Sequence, residues 1–208
     1  MQSRTRICSV TLSVVAVRGW GGDGVGNLAD AGVDCTLFTP AAVSLHVLPW
    51  YPGHSFKANP HLKDDRSVQK FAIDVAMPIG TDVLAMRAGT VASVEESFFD
   101  GDLTPGHENF VFIRHEDGTA ARYFHLTHAG ALVSVGDDVA QGEPIGLSGH
   151  TGHSSEPHLH FDVTRYCCST PPNHNLMPAG ETLPLSFSNA APDSSCGLTH
   201  GVSYTARY

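Results

Sequence analysis

Charge is scarce in this chain. Only 16% of its 208 residues are charged, and 12 Lys+Arg stand against 21 Asp+Glu, for a formal net charge of -9. Nucleic-acid binders neutralise phosphates with clustered lysines and arginines, so the missing basic patch argues against such a partner. The five cysteines, Cys8, Cys35, Cys167, Cys168 and Cys196, form no C-x-x-C pair, which removes zinc-finger spacing. No run of residues is long and apolar enough for a membrane helix. H-E-x-x-H is absent too, so no helix-borne glutamate base stands between two metal-binding histidines.

Glycine and proline, at 21 and 13 residues, are plentiful, and with little charge they suit short strands joined by turns better than a helical bundle. The expected fold class is all-β, with one well-filled core. Near the start, Arg4 and Arg6 precede a mostly apolar stretch over residues 7–17, the length of a signal-peptide core, interrupted by Arg18. Residues 19–32 read as a flexible linker rich in Gly, Asp and Ala. If Cys8 leaves with such a leader, four cysteines remain. They suit two disulfides in an oxidising compartment, or unpaired buried thiols. The expected organisation is a leader and linker over 1–35, a domain over 36–190 and a C-terminal tail over 191–208.

Within the domain, residues 42–50 are apolar enough for a first strand, and the polar, irregular segment 57–68 reads as a surface loop. From Lys70 onward, strand-length runs alternate with turn residues: 71–75, 82–85, 89–91 and 132–135. Asp117-Gly118, between runs at 109–115 and 119–125, predicts a hairpin. Phe110, Phe112 and Arg114 then share one face, and Val111, Ile113 and His115 the other. A short strand at 183–187 could return to the sheet.

Thirteen histidines are many for this length, and they crowd between His107 and His160. In Pro157-His158-Leu159-His160-Phe161, alternation on a strand points His158 and His160 into one pocket. Asp74, inside the apolar run 71–75, offers a carboxylate from a separate strand. Two imidazoles and a carboxylate can build a zinc site for hydrolysis.

Five segments stand in the order found in lysostaphin- and LytM-type zinc metallopeptidases, which the chain resembles over roughly residues 52–163. They are Ala72-Ile73-Asp74 with Pro78-Ile79-Gly80-Thr81, then Gly89-Thr90-Val91, then Asp117-Gly118 with Tyr123-Phe124-His125-Leu126, then Gly149-His150-Thr151-Gly152-His153-Ser154, and Pro157 through Phe161. The resemblance implies a compact antiparallel β fold of the duplicated hybrid-motif type, with a groove over one sheet. It also implies one zinc ion and an extracytoplasmic enzyme that hydrolyses peptide bonds of bacterial peptidoglycan. By position, Asp74 and His160 match metal ligands, and His125 and His158 match the histidines that line the catalytic water. Gly146, Gly149 and Gly152 match the turn before the last strand and serve backbone geometry. His150 and His153 in that turn read as exposed loop histidines.

One position departs from the family pattern. A histidine four residues before the aspartate is replaced by Lys70, whose ammonium has no lone pair to give a metal. Three outcomes follow. A histidine of the preceding segment, His61 with His54 behind it, completes the site. Alternatively zinc binds weakly or not at all, and the groove is an inactive module that binds wall peptide or regulates a partner hydrolase. In the third, Lys70 pairs with Asp74 in a metal-free groove. Glu156, where the family has glycine, adds a carboxylate at the lip that either favours cationic peptide or is solvated. Oligomeric state has no signature in the sequence.

Overall fold

The computed structural model describes residues 34–62, 69–165 and 182–208. The leader, most of the linker, and Cys8, Cys167 and Cys168 lie outside the described residues.

Among the described residues, twelve strands form two antiparallel sheets. The strands are β1 (Ser55–Pro60), β2 (Ile73–Ala76), β3 (Asp82–Leu84), β4 (Gly89–Glu95), β5 (Phe110–Arg114) and β6 (Thr119–Phe124), followed by β7 (Leu126–Ala131), β8 (Asp138–Val139), β9 (Pro144–Ser148), β10 (His158–Arg165), β11 (Ala190–Ala191) and β12 (Ser203–Ala206). The large sheet runs β11-β12-β1-β2-β10-β6-β5-β4-β8, and the small one β3-β9-β7. The expected all-β class and antiparallel architecture are what the chain adopts.

Strand alternation explains the two faces of the large sheet. Ile73, Val75, Val111, Ile113, Ala121, Tyr123, Leu159, Phe161 and Val163 point into the main core. The opposite face carries Asp74, Arg122, His158, His160 and Asp162, with Phe110, Phe112 and Phe124 in a separate aromatic cluster. The predicted hairpin forms, with β5 paired to β6 and Gly118 at φ +80° in its turn, a conformation open to glycine at little cost.

Five expectations are corrected. Residues 42–50 form no strand: a 3-10 turn at Ala41–Val43 leads into irregular chain. Its polar groups are met by loops instead of a ladder, with Val47 N–H donating to Met86 O at 3.0 Å and Leu48 N–H to Asn189 Oδ1 at 2.8 Å. The supposed loop beginning at 57 contains most of β1, whose Ala58 is fully buried and which lies between β12 and β2. The run 132–135 is not a strand; the preceding β7 pairs with β9 in its place. Residues 183–187 touch the sheet by one bond, Leu183 N–H to Val163 O at 2.7 Å, and continue as extended chain that buries Leu185 and Phe187. The segment after 190 is no tail, because β12 pairs along β1. Cys196 within it is disulfide-bonded to Cys35 across 161 residues, clasping both ends of the described chain together.

On the core side, the rings of His46 and His115 lie 6.0 Å apart. Burial, reinforced by the Arg87 guanidinium, pushes each pKa down to about 4. Both rings are therefore neutral in the folded protein at pH 5, where unfolded histidine is largely charged. Stability is fully present above about pH 6.5 and falls as pH drops toward 4, because the unfolded chain takes up protons that the fold refuses. Urea titrations at pH 7 and pH 5 should show this loss, and a smaller one for His46→Leu. Equal stability of the parent at both pH values would contradict it.

Candidate metal centre and active site

Three neighbouring strands build the site. Asp74 of β2 and His160 of β10 are direct register partners, so their side chains stand side by side on the groove face. His61 follows β1, and its N–H donates to Ala72 O at 3.0 Å, extending the β1-β2 ladder by one step. That places His61 diagonal to Asp74. Its Nε2 lies 2.8 Å from Asp74 Oδ2, while His160 Nδ1 lies 2.8 Å from Asp74 Oδ1. One carboxylate thus bridges two imidazoles, and one donor atom from each of the three residues falls within a span of 4.8 Å.

Two more histidines complete the cluster. His158, two residues before His160, brings its Nε2 to 3.7 Å from Asp74 Oδ1 and its Nδ1 to 2.8 Å from Glu156 O. His125 ends the β6 segment with φ +62°, a left-handed turn that throws its ring across the groove. The ring centroids of His125 and His158 are 4.5 Å apart. His125 Nδ1 sits 2.7 Å from Thr151 O. A carbonyl only accepts, so both rings carry a proton on Nδ1 and turn Nε2 to the groove.

The turn at 149–154 supplies that carbonyl and is tightly placed. A Cβ on Gly149 would lie 2.3 Å from Thr127 N, so only glycine fits there. His150 N–H donates to Asp100 Oδ1 at 2.6 Å, and Asn109 N–H donates to Thr151 Oγ1 at 3.1 Å. His150 Nδ1 is engaged with Ser154 Oγ at 2.9 Å, whereas His153 is exposed on the groove wall. Glu156 is exposed, leaving its carboxylate to water.

Behind the cluster lies an ion pair that sequence reasoning missed. Asp162, again two residues along β10, is fully buried and receives Arg122 Nε at 2.7 Å and Arg122 Nη2 at 2.6 Å. His160 Nε2 points toward it, 3.7 Å from Asp162 Oδ2, and is buried without a hydrogen-bond partner among the described residues. The same alternation that singles out His158 and His160 also carries Asp162, so this residue had a signal. Arg122 had none, because its role depends on strand register.

Electrostatics follow from this arrangement. Burial alone would lower the His160 pKa, but the Asp162 and Asp74 carboxylates outweigh it and raise the pKa to about 9. Burial works against ionised Asp74, yet His160 and His61 hold its carboxyl well below the usual carboxylate range. His125 goes the other way. Burial, with the nearby charge of His158, pushes it down to about 4, so its lone pair is available at neutral pH.

Lys70 takes no part in this cluster. Its ammonium stands 5.6 Å from the Phe71 ring centroid, and the groups paired with Asp74 among the described residues are His61, His158 and His160. His54 packs against Tyr51 and Phe56 instead, with ring centroids 6.3 and 6.5 Å away. The five candidate side chains named from the sequence, Asp74, His160, His61, His125 and His158, line one open cavity of about 450 Å³.

The donor set suits a divalent metal. Two ring nitrogens and a carboxylate oxygen are the ligand types of zinc hydrolases. With Nε2 of His160 facing a buried carboxylate, its proton belongs there and Nδ1 is left to face a cation. A groove with such a cluster and two further imidazoles beside it is the chemistry of a metallohydrolase.

The chain belongs to peptidase family M23, whose profile matches residues 69–172, half of its length. An uncharacterized metalloprotease of Buchnera aphidicola is 40% identical over 91 residues, which are 44% of this chain and 22% of that protein. The peptidoglycan DD-endopeptidase ShyA of Vibrio cholerae is 39% identical over 90 residues, 43% of this chain and 19% of its own. The chain thus spans about a fifth of the length of these relatives. Among solved structures, the antimicrobial peptidase lysostaphin from Staphylococcus simulans is 27% identical, with a TM-score of 0.43 over 62% of this chain and 49% of that one.

Proposed function

We propose that this protein is a secreted or periplasmic zinc metalloendopeptidase that hydrolyses peptide bonds of bacterial peptidoglycan. The observation that carries the reading is the carboxylate of Asp74 shared between His61 and His160, with His125 and His158 across the same cavity. Membership of family M23 and relatives named as peptidoglycan endopeptidases support the substrate class. The Cys35–Cys196 disulfide supports an oxidising compartment. No helix of the described residues is long and apolar enough to cross a membrane.

His61 Nε2, an oxygen of Asp74 and His160 Nδ1 would hold the metal, and Asp162 would fix the His160 ring from behind. Bound there, zinc supplies Lewis acidity toward a peptide carbonyl and brings the pKa of water near 7. His125, kept neutral by burial and oriented by Thr151 O, accepts the proton of the attacking water through Nε2. His158, held by Glu156 O through Nδ1, turns its Nε2 to the same cavity and, carrying a proton there as well, donates Nε2–H to the oxyanion that forms. The proton taken up by His125 then passes to the leaving amine.

Zinc content of the purified protein and clearing of cell-wall preparations with and without chelator test the proposal. His61→Ala is expected to lose stoichiometric zinc, while Lys70→Ala retains it. Stoichiometric zinc without hydrolysis of any wall preparation would defeat the peptidase reading. Unchanged zinc in His61→Ala would defeat the ligand set.

A further inference from the structure

Glu108 stands on the wall of the same cavity, in the loop between β4 and β5, and has no part in the chemistry above. Its side chain is unusually fixed for a partly exposed glutamate. Oε1 accepts from His153 N–H at 3.1 Å and from Gly106 N–H at 3.2 Å. The stem lies against the backbone of Gly152, where an added Cβ would come within 2.3 Å of Glu108 Cγ and 2.6 Å of Cδ. Both hydrogen bonds fall on one oxygen, so Oε2 has none among the described residues.

The surroundings define what Oε2 can take. Both oxygens of Asp74, the other carboxylate of the cavity, are engaged by histidines. No lysine or arginine is among the described residues that line the cavity. A carboxylate locked in place, partly desolvated and short of a cationic partner is a preorganised acceptor for an ammonium group. Its charge is also felt by His125, which places it within electrostatic reach of the reaction.

We infer that Glu108 is a specificity residue, whose Oε2 receives a protonated primary amine of the peptide lying in the groove. The inference rests on the peptidase reading and narrows its substrate to peptides with a free amino group near the scissile bond. The amine can come from a side chain or from a chain terminus; the recognition chemistry is the same. A purely structural role is the rival, because Glu108 also tethers the turn that carries Thr151.

Glu108→Gln separates the two. The amide oxygen of glutamine can still accept from His153 and Gly106, and the stem still packs on Gly152, but the charge is gone. The probes are three forms of one alanine-rich pentapeptide with a single lysine: side-chain amine free, terminal amine free, and both acetylated. Calorimetric binding to the intact zinc-loaded protein should favour one of the amine forms over the fully acetylated form by at least about tenfold, as a charge-assisted hydrogen bond implies. Which amine is preferred identifies the source. In Glu108→Gln that preference should vanish, with binding of the acetylated form unchanged.

Equal binding of all three forms by the parent, or no binding of any, overturns the inference. So does a preference that survives in Glu108→Gln, or an equal loss for every form, which would mark a turn clamp only. Wall hydrolysis, measured in parallel, keeps the two claims apart. An amine preference without hydrolysis defeats the peptidase reading alone, and hydrolysis without the preference defeats this inference alone.

Discussion

Asp74→Ala is expected to leave a folded protein with no stoichiometric zinc and almost no hydrolytic activity. The carboxylate meets His61 and His160 at 2.8 Å each, so its loss removes one donor and the anchor that brings the other two together. A bound metal contributes several kcal/mol of transition-state stabilisation, so the rate should fall by about three powers of ten. Metal analysis and wall-clearing rates on the same preparation check both halves. Activity within tenfold of the parent would show that the reaction runs elsewhere.

Arg122→Met carries the second large effect, and it acts on stability first. The substitution keeps most of the stem that lies along Phe124, whose ring centroid is 5.5 Å from the guanidinium, but it strips buried Asp162 of two charge-assisted bonds. Breaking a buried pair from one side typically costs about 3–5 kcal/mol, because the remaining charge has no water to fall back on. At roughly 2–4 °C per kcal/mol for a chain of this size, the melting temperature should drop by about 6–20 °C. Asp162 would then be free to draw on His160, so zinc affinity should weaken by about 10–100-fold. A melting temperature unchanged within error would mean that neighbours or water compensate the pair.

Local alternation was enough to read the centre of the molecule. His158 and His160 share a face because they are two residues apart on a strand, and the hairpin at Asp117-Gly118 follows from turn chemistry that needs no distant partner. Matters that depend on pairing between remote segments were hidden. Lys57 and Pro60 made β1 look like a loop, and it becomes an interior strand only because β12, more than 140 residues later, lies along it. Residues 42–50 misled in the opposite sense. Their apolar side chains fill core, but their backbone bonds go to Met86 and Asn189 in loops, which periodicity cannot see. Arg122 has no signal in the sequence, because only the pairing of β6 with β10 aligns it with Asp162, 40 residues away. His61 was one of two histidines of the preceding segment that could complete the site; its position beside Asp74 comes from the ladder of β1 and β2, a pairing that the sequence does not display.

The pairing of β12 with β1 has a consequence for where damage would be felt. His61 hangs from the end of β1, and β1 is braced on its outer flank by residues at the far end of the chain. Removing β12 is therefore expected to weaken the proposed metal site without touching any of its candidate side chains, so this strand serves as a distant guy-rope for His61.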